Sequence, residues 1–353
     1  METAIINITE ETQNQETMME KIRAAGHIIK QGGLVAFPTE TVYGLGADAL
    51  NPQASEKIYA AKGRPSDNPL IIHISKMGDL DKIAKNVPKS ARKLAERFWP
   101  GPLTMIFEKS DIVPLETTGG LQTVAVRMPS HPAALRLIES GGGFIAAPSA
   151  NTSGRPSPTR AEHVAEDMHG RIPMILDGGP VGIGIESTIV DFSAEVPMIL
   201  RPGYITADMI QETIGEVRMD PGLIPDDSGI SPKAPGMKYR HYAPKAQLIL
   251  VEGSKEHVQE KINQLAKEAV KEGKSVGIIG TDETRDGYLL GIVKSIGTRT
   301  DEASIARHLY GILREFDQLD VEIIYSESFS ESGIGQAVRN RMMKAAGHQI
   351  IEA

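Results

Sequence analysis

Hydrophobic positions in the first part of the chain alternate between helical spacing and short continuous runs. Residues 16–31 carry apolar side chains three and four positions apart, and two glycines follow, which predicts a helix. Asn51 before Pro52 is typical of an N-cap followed by proline at the first helical position. The pattern predicts further helices at 52–61, 88–98, 132–139, 160–168 and 206–214, and strands at 34–37, 70–74, 103–107, 123–128, 144–147, 174–176, 187–192 and 198–201. This alternation predicts an α/β domain with a large mixed sheet.

The alternation of helical and extended patterns stops between Met219 and Lys245 and resumes after Lys245. Eight of these 27 residues are proline or glycine, so we interpret the segment as a linker or a long functional loop. It ends in KYRHYAP (238–244), whose two tyrosines, histidine and cations favour contact with a ligand. Beyond it, strands predicted at 247–251, 275–279 and 321–325 alternate with helices at 254–271, 301–319 and 334–346. This predicts a small three-layer domain with a parallel sheet.

Composition narrows the class of function. The 353 residues exceed one typical core, so two domains are expected. A formal net charge of −8 argues against a protein that coats nucleic acid through bulk charge. The absence of cysteine excludes disulfides, thiolate metal sites and cysteine nucleophiles. No signal sequence is visible and no run reaches the roughly 20 apolar residues of a membrane span, so we expect a cytoplasmic protein.

Polar residues follow the first predicted strands. PTETVYGLG (38–46) places Thr39 and Thr41 at the carboxyl end of a strand, where open α/β sheets usually bind ligands. A tight turn with a capping threonine explains this segment equally well. His73 interrupts an apolar strand, where a lone histidine is more often a satisfied core residue than a ligand contact.

Several cations lie beside these segments. Lys62 and Arg64 leave a helix and enter a proline-rich loop with Asn68, and two cations so close suit an oligophosphate. Favourable charge at a helix C-terminus also explains Lys62. Arg127 ends a β-rich run, where burial without an anion is prohibitive. Its partner is therefore either a protein carboxylate or a substrate carboxylate.

Three later segments combine small and polar residues. Ser149 and Asn151 follow an apolar strand, and they supply either directed hydrogen bonds to a ligand or an Asx or ST turn. Thr159 is predicted as a helix N-cap, where free N–H groups can hold phosphate. Ser187 and Arg201 lie at the ends of later strands, and each alone is compatible with a structural role.

Several motifs are absent. The chain contains no P-loop, no dinucleotide-binding glycine fingerprint, no HExxH and no nucleophile elbow. What remains is a set of cations, hydroxyls and amides at strand ends. Such a set suits catalysis by positioning and charge neutralisation, as attack on an ATP phosphate requires.

Together these stretches resemble the Sua5/YwlC/YrdC family of threonylcarbamoyl-AMP synthases. The family's K-x-R and S-x-N signatures stand here as Lys62/Arg64 and Ser149/Asn151. PTETVYGLG, KGRP followed by NPLIIHI, WPGPLT, VAVRMP, SANTSGRPSPT, ESTIVD and LRPG fit the family in order and character. KYRHYAP before a smaller terminal domain is similar to the long, two-domain Sua5 form.

The resemblance implies an architecture and a reaction. The architecture is a YrdC-like open mixed twisted sheet with a concave cleft over 1–217, a linker and active-site lid over 218–246, and a Rossmann-like three-layer Sua5 domain over 247–353. In the implied reaction, threonine's amine captures CO₂ or bicarbonate, and the carbamate attacks the ATP α-phosphate and releases pyrophosphate. The implied partners are a separate transferase complex, which uses the product to modify adenosine 37 of tRNA, and more weakly tRNA itself.

The resemblance also implies residue roles. Threonine would be surrounded by Thr41, His73, Arg127, Ser149 and Ser187, with Arg127 on its carboxylate and Thr39 as the alternative to Thr41. ATP would be held by Lys62, Arg64, Asn68, Asn151, Thr159, Arg201 and Tyr242. The catalytic set would be Lys62, Arg64, Ser149 and Asn151. Mg²⁺ would arrive with ATP, and no protein metal cage is evident from the sequence.

Two other functions remain open at this level. The first is a double-stranded RNA-binding module without catalysis, which would use Lys62 and Arg64 in a concave basic surface. The second is a transferase that uses carbamoyl phosphate, because related domains occur in hydrogenase-maturation proteins. Those proteins usually carry zinc-finger modules, which a chain without cysteine cannot contain.

Overall fold

The computed structural model describes residues 1–9, 15–220 and 241–353, which form two compact units. The first unit comprises the described residues of Met1–Ser153, Ser157–Gly182 and Glu186–Tyr239, and the second those of Gly154–Pro156, Ile183–Ile185 and Arg240–Ala353. The domain boundaries at 217/218 and 246/247 remain predictions. The predicted lid, 218–246, lies largely outside the described residues.

The first unit is built on one large mixed sheet. Its strands are β1 (Ala4–Asn7), β2 (Val35–Phe37), β3 (Gly44–Asp48), β4 (Ile71–His73), β5 (Ala84–Lys85), β6 (Leu103–Lys109), β7 (Thr123–Arg127), β8 (Ile145–Ala146), β9 (Met174–Asp177), β10 (Thr188–Asp191), β11 (Met198–Arg201) and β12 (Arg218–Met219). Within the described residues they form a 12-stranded sheet in the order β1-β9-β2-β3-β8-β4-β7-β6-β10-β11-β12, with β5 paired to β6 outside this path. The α/β class with a mixed sheet is confirmed.

Helices cover this sheet, and its apolar runs become buried strands. The helices are α1 (Gln15–Lys30), α2 (Pro52–Lys62), α3 (Leu80–Ile83), α4 (Lys89–Phe98), α5 (Pro132–Ser140), α6 (Ala161–Met168) and α7 (Ala207–Ile214). The predicted apolar stripe of α1 is confirmed, because Ile22 and Ile29 are buried in one cluster with Leu137 of α5. The predicted cap of α2 is also confirmed, because the Asn51 side chain accepts hydrogen bonds from two backbone N–H groups of the first turn.

One local expectation holds only in part and another is wrong. The turn with a capping threonine is present in the first half of PTETVYGLG, where Thr39 bonds to Val42, whereas Gly44–Asp48 form β3, which pairs antiparallel with both β2 and β8. A Cβ atom at Gly46 would lie 2.9 Å from side-chain atoms of both Ile145 and Phe37, so this strand requires glycine for close packing. Thr159 is not the N-cap of α6, because the helix begins at Ala161 and Arg160 occupies the cap position.

The second unit contains a smaller, parallel sheet. Its elements are β13 (Gln247–Glu252), α8 (Lys255–Lys271), β14 (Val276–Gly280), β15 (Ile292–Ser295), α9 (Glu302–Gln318), β16 (Ile323–Glu327), α10 (Gly333–Ala345) and β17 (Ile350–Glu352). The described strands form a 5-stranded sheet in the order β15-β14-β16-β13-β17, and each pairing is parallel. The predicted parallel sheet is confirmed, although the predicted strand 321–325 starts two residues before β16. Among the described helices, none is both long and apolar enough to cross a bilayer.

One face of α9 organises the start of the second unit. The Tyr310 ring stacks on Tyr242 with a centroid distance of 5.3 Å. One turn further, an Arg314 terminal nitrogen donates to the carbonyl of Pro156 at 2.7 Å. The buried Asp317 carboxylate accepts from the backbone N–H of Lys245 at 2.7 Å and from Arg155 at 3.3 Å. Because these residues are three and four positions apart, they share a helix face that holds the segments at 154–156 and 242–245.

Candidate active site

Polar side chains of neighbouring central strands in the first unit lie in register with one another. Arg127, the last residue of β7, is in register with His73 of β4 and with Thr104 of β6. The hydroxyl of Thr104 lies 2.7 Å from that of Ser187, which immediately precedes β10. Arg127, His73 and Ser187 are all buried. The sheet therefore brings three predicted threonine contacts together, although they are far apart in the sequence.

Arg127 binds a protein carboxylate and a hydroxyl. One terminal nitrogen of its guanidinium donates to Glu40 Oε1 at 2.6 Å, and the other donates to Thr41 Oγ1 at 2.9 Å. Its Nε is buried without a hydrogen-bond partner, and so is Oε2 of Glu40. The sequence left two partners open for Arg127, a protein carboxylate and a substrate carboxylate, and the protein carboxylate is present. The pair also keeps one buried donor and one buried acceptor unused, which is costly unless something else bonds to them.

Opposing influences set the charge of Glu40. Burial by itself would raise the pKa of this carboxyl group. The positive charge and hydrogen bond of Arg127, together with nearby backbone N–H groups, outweigh burial and hold the pKa of Glu40 below its ordinary value. Glu40 is therefore ionised at neutral pH and forms an ion pair with Arg127.

The two threonines of the 38–46 loop have different roles. Thr39 Oγ1 donates to the carbonyl of Val42 at 2.6 Å and accepts from the backbone N–H groups of Thr41 and Val42. Its single proton is therefore used, so the 2.9 Å contact between the two hydroxyls has Thr41 as donor. Thr39 closes the turn, whereas Thr41 connects the turn to Arg127. This favours Thr41 over Thr39 as a substrate contact.

His73 is held as a neutral imidazole. Burial, followed by the nearby positive charge of Arg127, lowers the pKa of His73 to about 3. Its Nδ1 lies 3.1 Å from the carbonyl of Ile71, and its ring packs edge-on against Phe37 with a centroid distance of 6.2 Å. His73 therefore lies beside Arg127 without adding a second positive charge.

Lys62 and the S-x-N motif form one compact arrangement. The buried Lys62 Nζ donates to the carbonyls of Ser149 and Asn151, both at 2.5 Å. The carbonyl of Lys62 accepts from the backbone N–H of Ser153 at 2.9 Å. Ser149 Oγ in turn donates to Asn151 Oδ1 at 2.5 Å, and Ser149 forms a bridge to Gly44 of β3. The lysine of the K-x-R signature thus contacts both signature residues of the S-x-N motif, Ser149 and Asn151, through their carbonyls.

The loop after α2 is arranged around Arg64. A terminal nitrogen of Arg64 donates to the carbonyls of Asn68 and Pro69, at 3.1 and 3.0 Å. Asn68 is buried, and its side-chain oxygen has no hydrogen-bond partner. A Cβ at Gly119, whose φ is +62°, would lie 2.9 Å from the carbonyl oxygen of Asp67, so the loop is packed tightly from behind. This loop next to Lys62 in the sequence is therefore polar and closely packed.

Arg201 is bound to the Ser187 segment. Its Nε donates to the carbonyl of Ser187 at 3.1 Å, and a terminal nitrogen donates to the Ser187 hydroxyl at 3.2 Å. The residue before Ser187, Glu186, is buried and accepts from Ser157 Oγ at 2.5 Å. Arg201 and Thr104 therefore both contact Ser187, and Thr104 is in register with Arg127.

For two further predicted ATP contacts, the structure describes other neighbours. Thr159 is buried, and its hydroxyl and backbone nitrogen lie 3.4 and 3.3 Å from Nδ1 of His163. Tyr242 belongs to the second unit, where it is buried and stacked on Tyr310. The residues Lys238, Tyr239 and Arg240 of KYRHYAP lie outside the described residues.

Three residues of the site were missed by sequence reasoning. Glu40, Thr104 and Glu186 lie in the motifs PTETVYGLG, WPGPLT and ESTIVD, but the sequence pattern assigns no role to any of the three. The signal for Glu40 was available, because a buried Arg127 requires an anion and Glu40 is the acidic residue of the 38–46 loop. Thr104 carries no such signal, because its partner is set by strand register. Glu186 carries none either, because its partner Ser157 lies 29 positions away in another loop.

Family models and solved structures match nearly the whole chain. The Sua5_yciO_yrdC model, described as Telomere recombination, matches residues 27–203, and the model for the threonylcarbamoyl-AMP synthase C-terminal domain matches residues 205–347. The chain is 50% identical to the threonylcarbamoyl-AMP synthase of Pyrococcus abyssi, and the match covers 99% of both chains. The chain belongs to the threonylcarbamoyl-AMP synthase family. It is accordingly an enzyme of the nucleotidyltransferase kind, as predicted.

Two further relatives support this assignment. The threonylcarbamoyl-AMP synthase of Bacillus subtilis is 48% identical, and the match covers 98% of both chains. The crystal structure of P. abyssi Sua5 complexed with L-threonine has a TM-score of 0.92 at 48% identity, and the match covers 99% of this chain and 100% of that chain. The predicted two-domain fold of this family is therefore confirmed.

Proposed function

We propose that this enzyme condenses L-threonine, bicarbonate and ATP to threonylcarbamoyl-AMP, pyrophosphate and water, and so supplies the activated group for modification of adenosine 37 in tRNA. The observation that carries the proposal is the buried Arg127 with its unused Nε–H, located beside Thr41, His73 and Ser187. A guanidinium with a free buried donor suits the carboxylate of a small amino acid. The relative solved with L-threonine supports this ligand.

The nucleotide would be held by the cations around the K-x-R and S-x-N motifs. Lys62 and Arg64 direct their positive charges toward main-chain carbonyls of loops that contain Asn68, Ser149 and Asn151. Such cations neutralise the charge that develops on the α-phosphate during attack and on pyrophosphate as it leaves. We assign Arg201, Thr159 and Tyr242 to the same ligand on the basis of the family resemblance.

The reaction order follows from the chemistry of the substrates. The amine of threonine adds to the carbon of CO₂ or bicarbonate, and the resulting carbamate oxygen attacks the α-phosphorus of ATP. The bond from the α-phosphorus to the bridging oxygen breaks, and pyrophosphate leaves. Mg²⁺ belongs to the nucleotide substrate, whose phosphates supply its ligands. In the described part of the chain, no group of three or more His, Cys, Asp or Glu side chains is placed to hold a metal ion.

The test is ATP–pyrophosphate exchange with the full chain. We expect exchange of labelled pyrophosphate into ATP that requires both L-threonine and bicarbonate and stops when either is omitted. Exchange that is independent of threonine would overturn the proposed substrate. No exchange under any condition, together with tight and salt-sensitive binding of double-stranded RNA, would favour the RNA-binding alternative.

A further inference from the structure

The ion pair between Arg127 and Glu40 has an unusual hydrogen-bond balance. The guanidinium keeps a buried Nε–H without a hydrogen-bond partner. The carboxylate Oε2 is buried with no donor at hydrogen-bond geometry, although the backbone N–H groups of Glu40 and Ser130 lie near this carboxyl group and lower its pKa. The pair is joined through the remaining atoms, Arg127 Nη2 and Glu40 Oε1, at 2.6 Å. A purely structural ion pair that is 5% and 13% exposed would be expected to satisfy these atoms too, because each unmet group costs about 1–3 kcal/mol.

An amino acid carries the complementary pair of groups. Its carboxylate accepts hydrogen bonds and its ammonium donates them, and both are attached to one carbon atom. A carboxylate ligand alone would satisfy Arg127 Nε and leave Glu40 Oε2 unmet. We therefore infer that Glu40 is a specificity-determining residue whose Oε2 accepts an N–H of the substrate's α-amino nitrogen while Arg127 binds the substrate's carboxylate. The inference rests on the proposed function, which it extends from the carboxylate to the amine.

The charges around Glu40 favour this arrangement. Arg127 keeps the carboxyl group ionised, so Oε2 is a charged acceptor. His73 next to it is neutral, so it does not compete as a cation. The guanidinium of Arg127 would then face the substrate's carboxylate, and the carboxylate of Glu40 would face its ammonium. These four charges alternate in sign and sum to zero, which lowers the cost of burying them. The turn around Thr39 holds Glu40 in place, because Thr39 Oγ1 accepts N–H bonds from residues on the far side of Glu40.

The experiment compares two ligands that differ only in the amine. L-threonine and (R)-3-hydroxybutanoate share the carboxylate and the hydroxyl, and the second lacks the amino group. Their affinities are measured by calorimetry for the full-length wild type, Glu40→Ala, Glu40→Gln and Glu139→Gln. Glu139 is a matched control because it is an exposed glutamate of the same unit that pairs with Arg136 on the surface.

We expect Glu40→Ala and Glu40→Gln to weaken threonine binding by roughly tenfold or more, the range of a hydrogen bond to a charged group. The affinity for 3-hydroxybutanoate should change by less than about threefold, so the preference for threonine collapses. Glu40→Gln is the decisive variant if the alanine variant fails to fold, because it keeps the shape and one acceptor for Arg127. Glu139→Gln should match the wild type.

Two results would overturn the inference in distinguishable ways. If both ligands lose affinity equally in the Glu40 variants, or neither does, Glu40 acts only on Arg127 and the role in recognising the amine is wrong, while threonine binding stands. If the wild type itself binds no threonine, the proposed function fails and this inference fails with it.

Discussion

Buried charge decides what individual residues do in the first unit. Lys62, Arg127 and Arg201 are 2%, 4% and 4% exposed, and side chains of this kind are almost never buried to that extent without partners. Lys62 and Arg201 donate to main-chain carbonyls, whereas Arg127 pairs with Glu40. The charge of a cation paired with a carboxylate is balanced within the protein, so a zwitterion without net charge suits Arg127.

The first prediction at this scale concerns Arg127. Arg127→Ala should weaken threonine binding by about tenfold to a hundredfold and ATP binding by less than threefold, because a charge-assisted hydrogen bond contributes roughly 1.5–3 kcal/mol. Arg127→Lys should be intermediate, since an ammonium keeps the charge without the planar fork. Calorimetry with threonine and with a non-hydrolysable ATP analogue measures both affinities. Exposed Arg136 provides the control variant, Arg136→Ala. Equal losses for both ligands would indicate a structural role for Arg127.

The second prediction concerns His73 and the pH dependence of the unfolding free energy. Its folded pKa is about 3 and the ordinary value is 6.5, so between these values the unfolded state binds more protons than the folded state. The stabilising contribution of the neutral ring is complete above pH 6.5 and is lost as the pH falls toward 3. From pH 6.5 to 5.5 we expect the wild type to lose about 1 kcal/mol more unfolding free energy than His73→Gln.

Urea unfolding followed by Trp99 fluorescence measures this difference, because Trp99 is the single tryptophan and reports on the first unit. His27→Gln, which changes an exposed histidine of α1, should retain the wild-type pH dependence. Parallel pH profiles for the wild type and His73→Gln would show that His73 is not kept neutral by burial.

At the scale of elements, strand register places side by side residues that no local sequence pattern connects. The pairing of β7 with β4 and β6 places Arg127 beside His73 and Thr104. The pairing of β10 with β6 aligns Thr188 with Leu103, which brings the preceding Ser187 close to Thr104. A shift of one residue would turn every side chain of a strand to the opposite face. The site therefore depends on the same register that buries the apolar residues.

Gly203 gives a test at this scale. A Cβ at this position would lie 2.5 Å from the backbone nitrogen and 2.7 Å from the hydroxyl of Thr188, so Gly203→Ala must displace the start of β10. We expect a loss of about 1–3 kcal/mol in unfolding free energy and weaker threonine binding, because Ser187 precedes Thr188. Gly78→Ala is the matched control, since a Cβ there meets nothing within 4 Å. Equal stability of both variants in urea would contradict this packing.

At the scale of the whole molecule, the two units are not two consecutive stretches of chain. The short segments Gly154–Pro156 and Ile183–Ile185 belong to the second unit, although their neighbours on both sides belong to the first. Pro156 is bound by Arg314 of α9, and a Cβ at Gly184 would lie 2.4 Å from the Cα of Arg307. These segments lie within a few residues of Asn151 and Ser187 in the sequence. The described contacts of both segments are therefore made with α9 of the second unit.

This organisation predicts the behaviour of a shortened chain. A fragment that ends at Asp220 keeps every strand from β1 to β12 and should fold with Trp99 buried. It lacks α9, so the 154–156 and 183–185 segments lose the contacts described above, and turnover should fall by roughly tenfold or more, because small misplacements of binding groups are costly. Circular dichroism and the exchange assay measure both properties. Full turnover in a folded fragment would show that the second unit does not support the site.

The sequence by itself determined much of this protein. Apolar spacing predicted most of the helices and the central strands, because burial requires side chains on one face of a helix or along a buried strand. The pattern does not predict β1, β3, β5, β12, β15 and β17, because these segments are short, lie at edges or contain glycine, so they carry no apolar period. The motifs also indicated the family, and the substrates and residue roles inferred from it stay predictions.

Only the tertiary structure decided how the charged residues are paired. The sequence required an anion for Arg127 and left a protein carboxylate and a ligand both open. The structure shows that Glu40 is one partner, through a loop and a strand that meet across 87 positions. The sequence could not separate Thr39 from Thr41 either, since the direction of their hydrogen bonds follows from the fold of the turn. Hydrophobic pattern is a property of neighbours along the chain, whereas charge pairing is a property of neighbours in space.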